Sequence, residues 1–427
     1  MPLLGLVDVA IVGHIGDATY IGAIAIGSMI FNMVYWIFGF LRMGTSGLTA
    51  QAFGRRSSAE VVQLLRQALS VGLAVAFCFV VLQRPLCTLA LWLMNTPASV
   101  VPLVRSYFSI VIWGAPAMLS LYGLTGWFIG IQNTRIPMTV AIFQNVVNIL
   151  VSLVLVIGFN MKIEGVATGT LVAQWSGVLL ASWLASRQLR PFLQDDNTLH
   201  TPSPALHASN QRTGGTPNNS YARFFRVNSD IFLRTLCLVA VNLFFTSAGA
   251  KQGTEILAVN TLLMTLFMLF SYVMDGFAFA GEALAGRFVG ARDGVMLRQT
   301  VRQLFFWGAG MVVLFTLVYV VGGVSFLALL TSDARVVSVA VPYLPWAWIV
   351  PVAGVAAFIF DGVFVGMTAT RGMLLSSAAA TLIFFLVYGL LVPVWHNHAL
   401  WLAFILYLLV RGVIQAWLYS AGKTTAL

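Results

Sequence analysis

Charged residues are scarce in this chain, and their scarcity excludes most soluble folds. Asp, Glu, Lys and Arg make up 8% of the 427 residues, hydrophobic residues make up 59%, and the mean hydropathy is +0.92. A soluble domain typically contains about 25% charged residues. The chain therefore requires a lipid bilayer as its solvent.

Cysteine and metal-binding patterns are also sparse. The three cysteines, Cys78, Cys87 and Cys237, are an odd number, lie in apolar segments and lack metal-ligand spacing, which argues against a disulfide framework. His396 and His398 form a lone His-x-His that supplies only two ligands, too few for a metal site. We expect no metal or organic cofactor.

The basic excess is explained by membrane orientation. Lys and Arg outnumber Asp and Glu by 23 to 13. With both termini in the cytoplasm, most basic residues of the loops face inward and only four face outward, namely Arg105, Lys162, Lys251 and Arg335. This is the positive-inside pattern, so no nucleic-acid partner is needed. We expect a multi-pass protein of the inner (cytoplasmic) membrane, embedded in the lipid bilayer.

The chain contains an internal repeat, because landmarks far apart in the first half recur 236 residues later. Gly54 and Arg56 recur as Gly290 and Arg292, and Gly130, Thr134 and Arg135 recur as Gly366, Thr370 and Arg371. Two like apolar halves are typical of secondary transporters, whose substrate site lies between repeats.

Each half contains about six apolar runs near the length of about 20 residues that a spanning helix needs. The predicted spans are 1–13, 21–49, 62–94, 100–129, 137–159, 165–187, 226–249, 257–285, 299–330, 337–366, 373–395 and 398–420. The first run is short, so we expect a truncated first helix or a start upstream of Met1. Residues 191–222 are rich in polar residues, Pro and Gly, as in a mobile cytoplasmic linker.

These features predict an all-α integral membrane protein with two six-helix lobes. The N-terminal lobe covers residues 1–190 and the C-terminal lobe covers residues 223–427, with the linker of residues 191–222 between them.

Ionisable residues within spans mark functional sites. Asp8 is an isolated carboxylate with no basic residue within helical reach, as a proton-loading site requires, although a permanent hydrogen bond is the alternative. Asp361 lies in a span of the second half and is either a second titrating site or a hydrogen-bonding contact between helices. Asp230 and Arg234 are four residues apart and are expected to form a structural pair.

A second set of charges suggests a gate. Asp275 and Glu282 are seven residues apart, which places both carboxylates on one helix face. Arg42 lies on the repeat-related helix of the first half, and we expect it to pair with one of these acids when the cytoplasmic side is closed. Snorkelling of Arg42 to lipid headgroups is the alternative.

Three classes of function compete for such a chain. A membrane enzyme would need clustered acids or a His and Asp pair at membrane depth, and no such cluster occurs in the sequence. A flippase for lipids or lipid-linked oligosaccharides would need several basic residues in its cleft, whereas only Arg42, Arg84, Arg234 and Arg411 lie in or near spans. A transporter is therefore favoured and a flippase is the second candidate.

Four stretches closely resemble the multidrug and toxic compound extrusion family, in particular its DinF-like branch. They are GLVDVAIVGHIG at 5–16, IGAIAIGSMIFNMVYWIFGFLRMGTSGLTAQAFGRR at 21–56, FRVNSDIFLRTLCLVAVNLFFTSAGA at 225–250 and FSYVMDGFAFAGEALAGRFVGAR at 270–292. The resemblance implies two six-helix lobes in a V shape and a monomer. It also implies efflux of cationic, amphipathic small molecules and other xenobiotics, driven by inward flow of H⁺ or Na⁺.

The resemblance also implies a coupling site. Asp8 matches the family's first-helix acid, Asn148 matches the Asn of its fifth-helix NxxxD motif, and Thr170 matches a sixth-helix Thr. Ser152 stands where that motif has its acid. The resemblance therefore implies a cluster with one carboxylate in place of two.

Overall fold

The computed structural model describes residues 18–94, 96–198, 217–331 and 333–422, and these residues form helices without a strand. An apolar chain in a bilayer must satisfy its backbone hydrogen bonds internally, which a helix does. The α-helices are α1 (Ala18–Phe38), α2 (Phe40–Gly54), α3 (Ser58–Val81), α4 (Gln83–Leu93), α5 (Val101–Val111), α6 (Ala115–Gly130), α7 (Arg135–Leu153), α8 (Ile163–Thr198), α9 (Pro217–Lys251), α10 (Thr254–Gly290), α11 (Gly294–Leu330), α12 (Ala334–Ala340), α13 (Leu344–Gly366) and α14 (Thr370–Ser420).

The helices follow the predicted spans closely. Nine helical segments of the described ranges are long and apolar enough to cross a membrane. The last, α14, joins the two final predicted spans across a break in helical geometry at His396. The sixth predicted span is helical as α8 but is not among the nine. The first predicted span lies outside the described residues.

The helices beside the predicted linker extend into it. Helix α8 continues to Thr198 and α9 begins at Pro217, while residues 199–216 lie outside the described part of the chain. By its contacts the chain forms two compact units. The first consists of the described residues up to 49 and from 57 to 221, and the second consists of residues 50–56 and the described residues from 222 onward.

The repeat is visible in the backbone. Among the described residues, those other than glycine with positive φ form three pairs spaced 236 residues apart: Arg56 and Arg292, Gln132 and Thr368, and Asn160 and His396. Such conformations are uncommon outside glycine and often end helices. Six unrelated turns would not share one spacing, so the two halves have the same chain path.

Each unit is built around one largely buried helix. In the first unit α6 packs against α3 and α8, and in the second unit α13 packs against α10, α11 and α14. Glycine allows the closest crossings. A Cβ at Gly126 would overlap the carbonyl oxygen of Arg42, and a Cβ at Gly362 would overlap that of Ala278. Both contacts join repeat-related positions, as expected for membrane helices that associate through small residues.

The close helix crossing at Gly362 predicts that substitution of this glycine lowers the stability of the protein. Gly362→Ala forces α13 away from α10 and should lower stability by about 1 to 3 kcal/mol, as overpacking of a core does. Gly310→Ala is the matched control, because no atom outside its own helix lies within 4 Å of the new methyl group. Thermal unfolding of the purified protein should show a lower midpoint only for Gly362→Ala. Equal midpoints would contradict the close crossing.

Candidate functional site

A polar contact joins α7 and α8 in the first unit. The Asn148 side-chain amide donates a hydrogen bond of 3.1 Å to Thr170 Oγ1. Asn148 is 1% exposed, and Thr170 is half-buried. The structure thus brings together two of the four residues of the predicted coupling cluster.

Ser152 lies one turn after Asn148 on α7 and is fully buried. A Cβ at Gly169 would overlap its hydroxyl oxygen, so α8 approaches α7 closely at this point. Ser152 Oγ and Asn148 Oδ1 are both buried, and neither has a hydrogen-bond partner among the described residues. A buried polar atom without a partner costs about 1 to 3 kcal/mol, so such atoms usually mark a functional or hydrated site.

The backbone is irregular beside these side chains. Helix α7 continues into a π-helical turn at Val154–Gly158, which begins two residues after Ser152. π-Turns are frequent at functional sites. Asp8, the predicted acid of this cluster, lies outside the described residues, so its contact with Asn148 and Ser152 stays a prediction.

The second unit holds a buried charge cluster centred on Asp361. Asp361 Oδ2 accepts hydrogen bonds from the guanidinium groups of Arg234 and Arg411, the latter at 2.5 Å. Asp361 Oδ1 accepts from Gln415 Nε2 at 2.8 Å. The four side chains are at most 9% exposed. One carboxylate therefore joins three helices, α9, α13 and α14.

The expected pair between Asp230 and Arg234 is corrected by these contacts. Arg234 pairs with Asp361, and Asp230 accepts a hydrogen bond of 2.9 Å from Thr370 Oγ1. The reason is energetic. A pair four residues apart on one helix contributes about 0.3 to 0.5 kcal/mol, whereas a buried guanidinium without a carboxylate is strongly destabilising.

Sequence reasoning missed Arg411 and Gln415 as partners of Asp361. They are 50 and 54 residues away in the chain, so no local spacing connects them to the acid. The available signal was chemical. An Arg within an apolar span needs a counter-ion, and Gln415 lies one turn after Arg411 on the same helix face.

The residues of the predicted gate fall in different units. Arg42 lies on α2 in the first unit, and Asp275 and Glu282 lie on α10 in the second. Glu282 is 1% exposed and Asp275 is half-buried. The Arg42 gate stays a prediction. In the described part of the chain, no three His, Cys, Asp or Glu residues cluster as metal ligands would.

Comparisons with known proteins place this geometry in context. The sequence model of the MatE family matches residues 1–154 and 231–390. The DNA damage-inducible protein F of Escherichia coli is 34% identical over 416 residues, covering 97% of this chain and 87% of that protein.

Solved structures of similar fold are also known. A crystal structure of MATE in the bent conformation has a TM-score of 0.82 at 17% identity and covers 99% of this chain and 91% of the other. The Vibrio cholerae MATE transporter VcmN in the bent form has a TM-score of 0.82 at 19% identity and covers 99% and 92%. At these identities the likeness shows the fold.

The Asp361 cluster predicts that an isosteric substitution of Asp361 causes a large loss of stability. Asp361→Asn leaves two buried guanidinium groups without a counter-ion and should destabilise the protein by about 3 to 5 kcal/mol. Asp230→Asn is the matched control, since it weakens one hydrogen bond to Thr370 and should cost about 1 kcal/mol. Denaturation in detergent compares the two. A smaller loss for Asp361→Asn than for Asp230→Asn would contradict a structural role for the cluster.

Proposed function

Because this chain belongs to the MatE family of multidrug and toxic compound efflux transporters, we propose that it exports amphipathic organic cations in exchange for inward-moving H⁺. Members of this family are membrane transporters and not enzymes. We also propose that it is a monomer and that it lies in the cytoplasmic membrane. The distribution of basic residues favours an orientation with both termini inside.

The observation that carries the proposal is a pair of buried polar atoms on α7 that have no hydrogen-bond partner among the described residues. Asn148 Oδ1 can only accept a hydrogen bond, whereas the Ser152 hydroxyl can both donate and accept. A protonated carboxylic acid complements both atoms, because its O–H donates to Asn148 Oδ1 while its other oxygen accepts from Ser152. We assign this carboxyl group to Asp8.

Loss of the proton breaks this match. An ionised carboxylate only accepts hydrogen bonds, so it loses Asn148 Oδ1 as a partner and keeps Ser152. The Asn148 amide is held by Thr170 at 3.1 Å, which limits its freedom to turn its NH₂ group toward the carboxylate. Protonation of Asp8 would thereby change its contacts with α7, which is the kind of local change that coupling requires.

The residues also bear on the coupling ion. A proton needs a single carboxylate, whereas a hard cation such as Na⁺ needs several oxygen ligands. With Ser152 in the position of the family's second acid, one carboxylate and the neutral oxygens of Asn148, Ser152 and Thr170 are available. Ser152 in place of the second acid leaves fewer charged ligands for a metal cation, so we propose H⁺ and keep Na⁺ as the alternative.

The second candidate function, a flippase for lipids or lipid-linked oligosaccharides, is weakened by the Asp361 cluster. A pyrophosphate headgroup would need basic side chains that are not already paired. Of the four Arg residues in or near spans, Arg234 and Arg411 share the Asp361 carboxylate. This pairing favours the export of cations over the translocation of anionic lipids.

The proposal predicts the outcome of transport in proteoliposomes with ethidium as substrate and an imposed pH gradient. Asp8→Asn is isosteric but cannot release a proton, so proton-driven transport should fall to the level of empty liposomes. Thr170→Val should also reduce transport, because it removes the acceptor that orients Asn148. Thr139→Val is the matched control, since that hydroxyl is exposed and bonds only within its helix.

Two results would overturn the coupling scheme. Full proton-driven transport by folded Asp8→Asn would remove the acid from coupling. Ethidium transport by the wild type that follows a Na⁺ gradient and ignores a pH gradient would replace H⁺ by Na⁺.

A further inference from the structure

The second unit contains a pocket away from both polar clusters. It has a volume of about 440 Å³ and is formed by the start of α13 and the break in α14. Its lining residues are Tyr343, Trp346, Val394, Trp395, His396 and His398. Pockets for small molecules typically measure about 300 to 1,000 Å³ and combine aromatic walls with a few polar groups.

Three of the lining residues contact one another. Trp346 Nε1 donates to His398 Nδ1 at 3.0 Å, and the His398 ring stacks on Tyr343 with centroids 4.5 Å apart and planes at 28°. His398 Nδ1 is thus the acceptor for the indole N–H, and both rings belong to the lining of the pocket. The lining therefore consists of aromatic and imidazole rings and one valine, without Lys, Arg, Asp or Glu.

The first unit has a lysine at the position that corresponds to His398 in the repeat. Asn160 and His396 both adopt positive φ, at 56° and 44°, and this fixes the register so that Lys162 corresponds to His398. Lys162 Nζ lies 5.1 Å from the centroid of the Tyr20 ring and 3.2 Å from its hydroxyl oxygen. The first unit thus places its own ammonium group against an aromatic side chain, whereas the second unit has His398 at this position, beside Tyr343 and Trp346.

We propose that this aromatic pocket binds an amphipathic organic cation from outside the chain, of the quaternary ammonium or phosphonium type. Aromatic faces attract such cations through their quadrupoles, and indole is the strongest of them. The biological role of this binding site rests on the proposed export function. The charge distribution that places Lys162 and Arg335 outside the cell also places this pocket on the side where an exported cation is released.

An interfacial aromatic belt is the alternative explanation of these rings, since Trp and Tyr are common at membrane surfaces. A belt anchors the protein in the headgroup region and does not distinguish a cation from an anion of equal shape. Selectivity for charge therefore separates the two explanations.

The test uses the full chain in lipid nanodiscs, labelled with 5-fluorotryptophan and followed by fluorine NMR at equilibrium without an ion gradient. The probes are tetraphenylphosphonium and tetraphenylborate, which have the same shape and opposite charge. The resonance of Trp346, assigned with Trp346→Phe, should shift and saturate with tetraphenylphosphonium and stay unchanged with tetraphenylborate. The resonance of Trp92, which is 74% exposed and lies outside the pocket, reports partitioning into lipid and serves as the reference.

Two variants test the pocket chemistry. His398→Lys installs the ammonium of the first unit and should weaken tetraphenylphosphonium binding at Trp346 by roughly tenfold or more, as a like charge at an aromatic site would. Trp395→Leu removes an exposed ring of the rim without disturbing the core and should weaken binding several-fold, while Trp92→Ala should leave it unchanged.

The proposal is overturned if the Trp346 resonance does not shift with tetraphenylphosphonium, or if tetraphenylborate shifts it as well. It is also overturned if the affinity for tetraphenylphosphonium is unchanged in both His398→Lys and Trp395→Leu. The outcome is independent of coupling, because no transport is measured. Selective binding at Trp346 alongside failed ethidium transport would support the pocket and refute the proposed function. Proton-driven ethidium transport without such binding would do the reverse.

Discussion

Polar groups inside a bilayer must find their partners within the protein, because hydrocarbon offers no hydrogen bonds. Every feature of this molecule that bears on function arises from that constraint. The apolar runs become helices because their backbones have no other way to satisfy hydrogen bonds. Both oxygens of the Asp361 carboxylate accept hydrogen bonds, from Arg234, Arg411 and Gln415. Asn148 Oδ1 and Ser152 Oγ are buried without a hydrogen-bond partner among the described residues.

The two halves share one chain path but divide the chemistry between them. Their backbones repeat at intervals of 236 residues down to the positive-φ turns, and glycines mark the same helix crossings in both units. Their polar residues differ. The first unit has hydrogen-bonding atoms that suit a carboxyl group that gains and loses a proton, and the second unit has a carboxylate held between two guanidinium groups. The two halves thus share a scaffold and differ in a few side chains, with Asn148, Ser152 and Thr170 in the first unit and the ion pairs of Asp361 in the second.

Much of the fold was predictable from the sequence, because apolar length and an internal repeat are local or periodic signals. The spans from residue 21 onward match helices, apart from the two that join at His396. The Asp361 cluster was not predictable in the same way. Its members come from three helices separated by 50 residues or more, and only packing brings them together. The expectation for Asp230 and Arg234 was wrong because helical spacing predicts contacts within one helix only. The buried guanidinium of Arg234 instead pairs with Asp361, a carboxylate on another helix. The proximity of Asn148 and Thr170 was predicted from the resemblance to a family. Such a resemblance can predict contacts between helices, which residue spacing cannot.

The central claim is that the first unit alone exchanges a proton when substrate binds. Infrared difference spectroscopy of the protein in lipid, recorded on addition of ethidium, tests it most directly through the C=O stretch of a protonated carboxyl group. The account predicts that ethidium removes one such band in the wild type and that Asp8→Asn lacks this change. A band that ethidium still removes in Asp8→Asn would place the proton on another carboxyl group, Asp361 among them, and would contradict the division of roles between the two units.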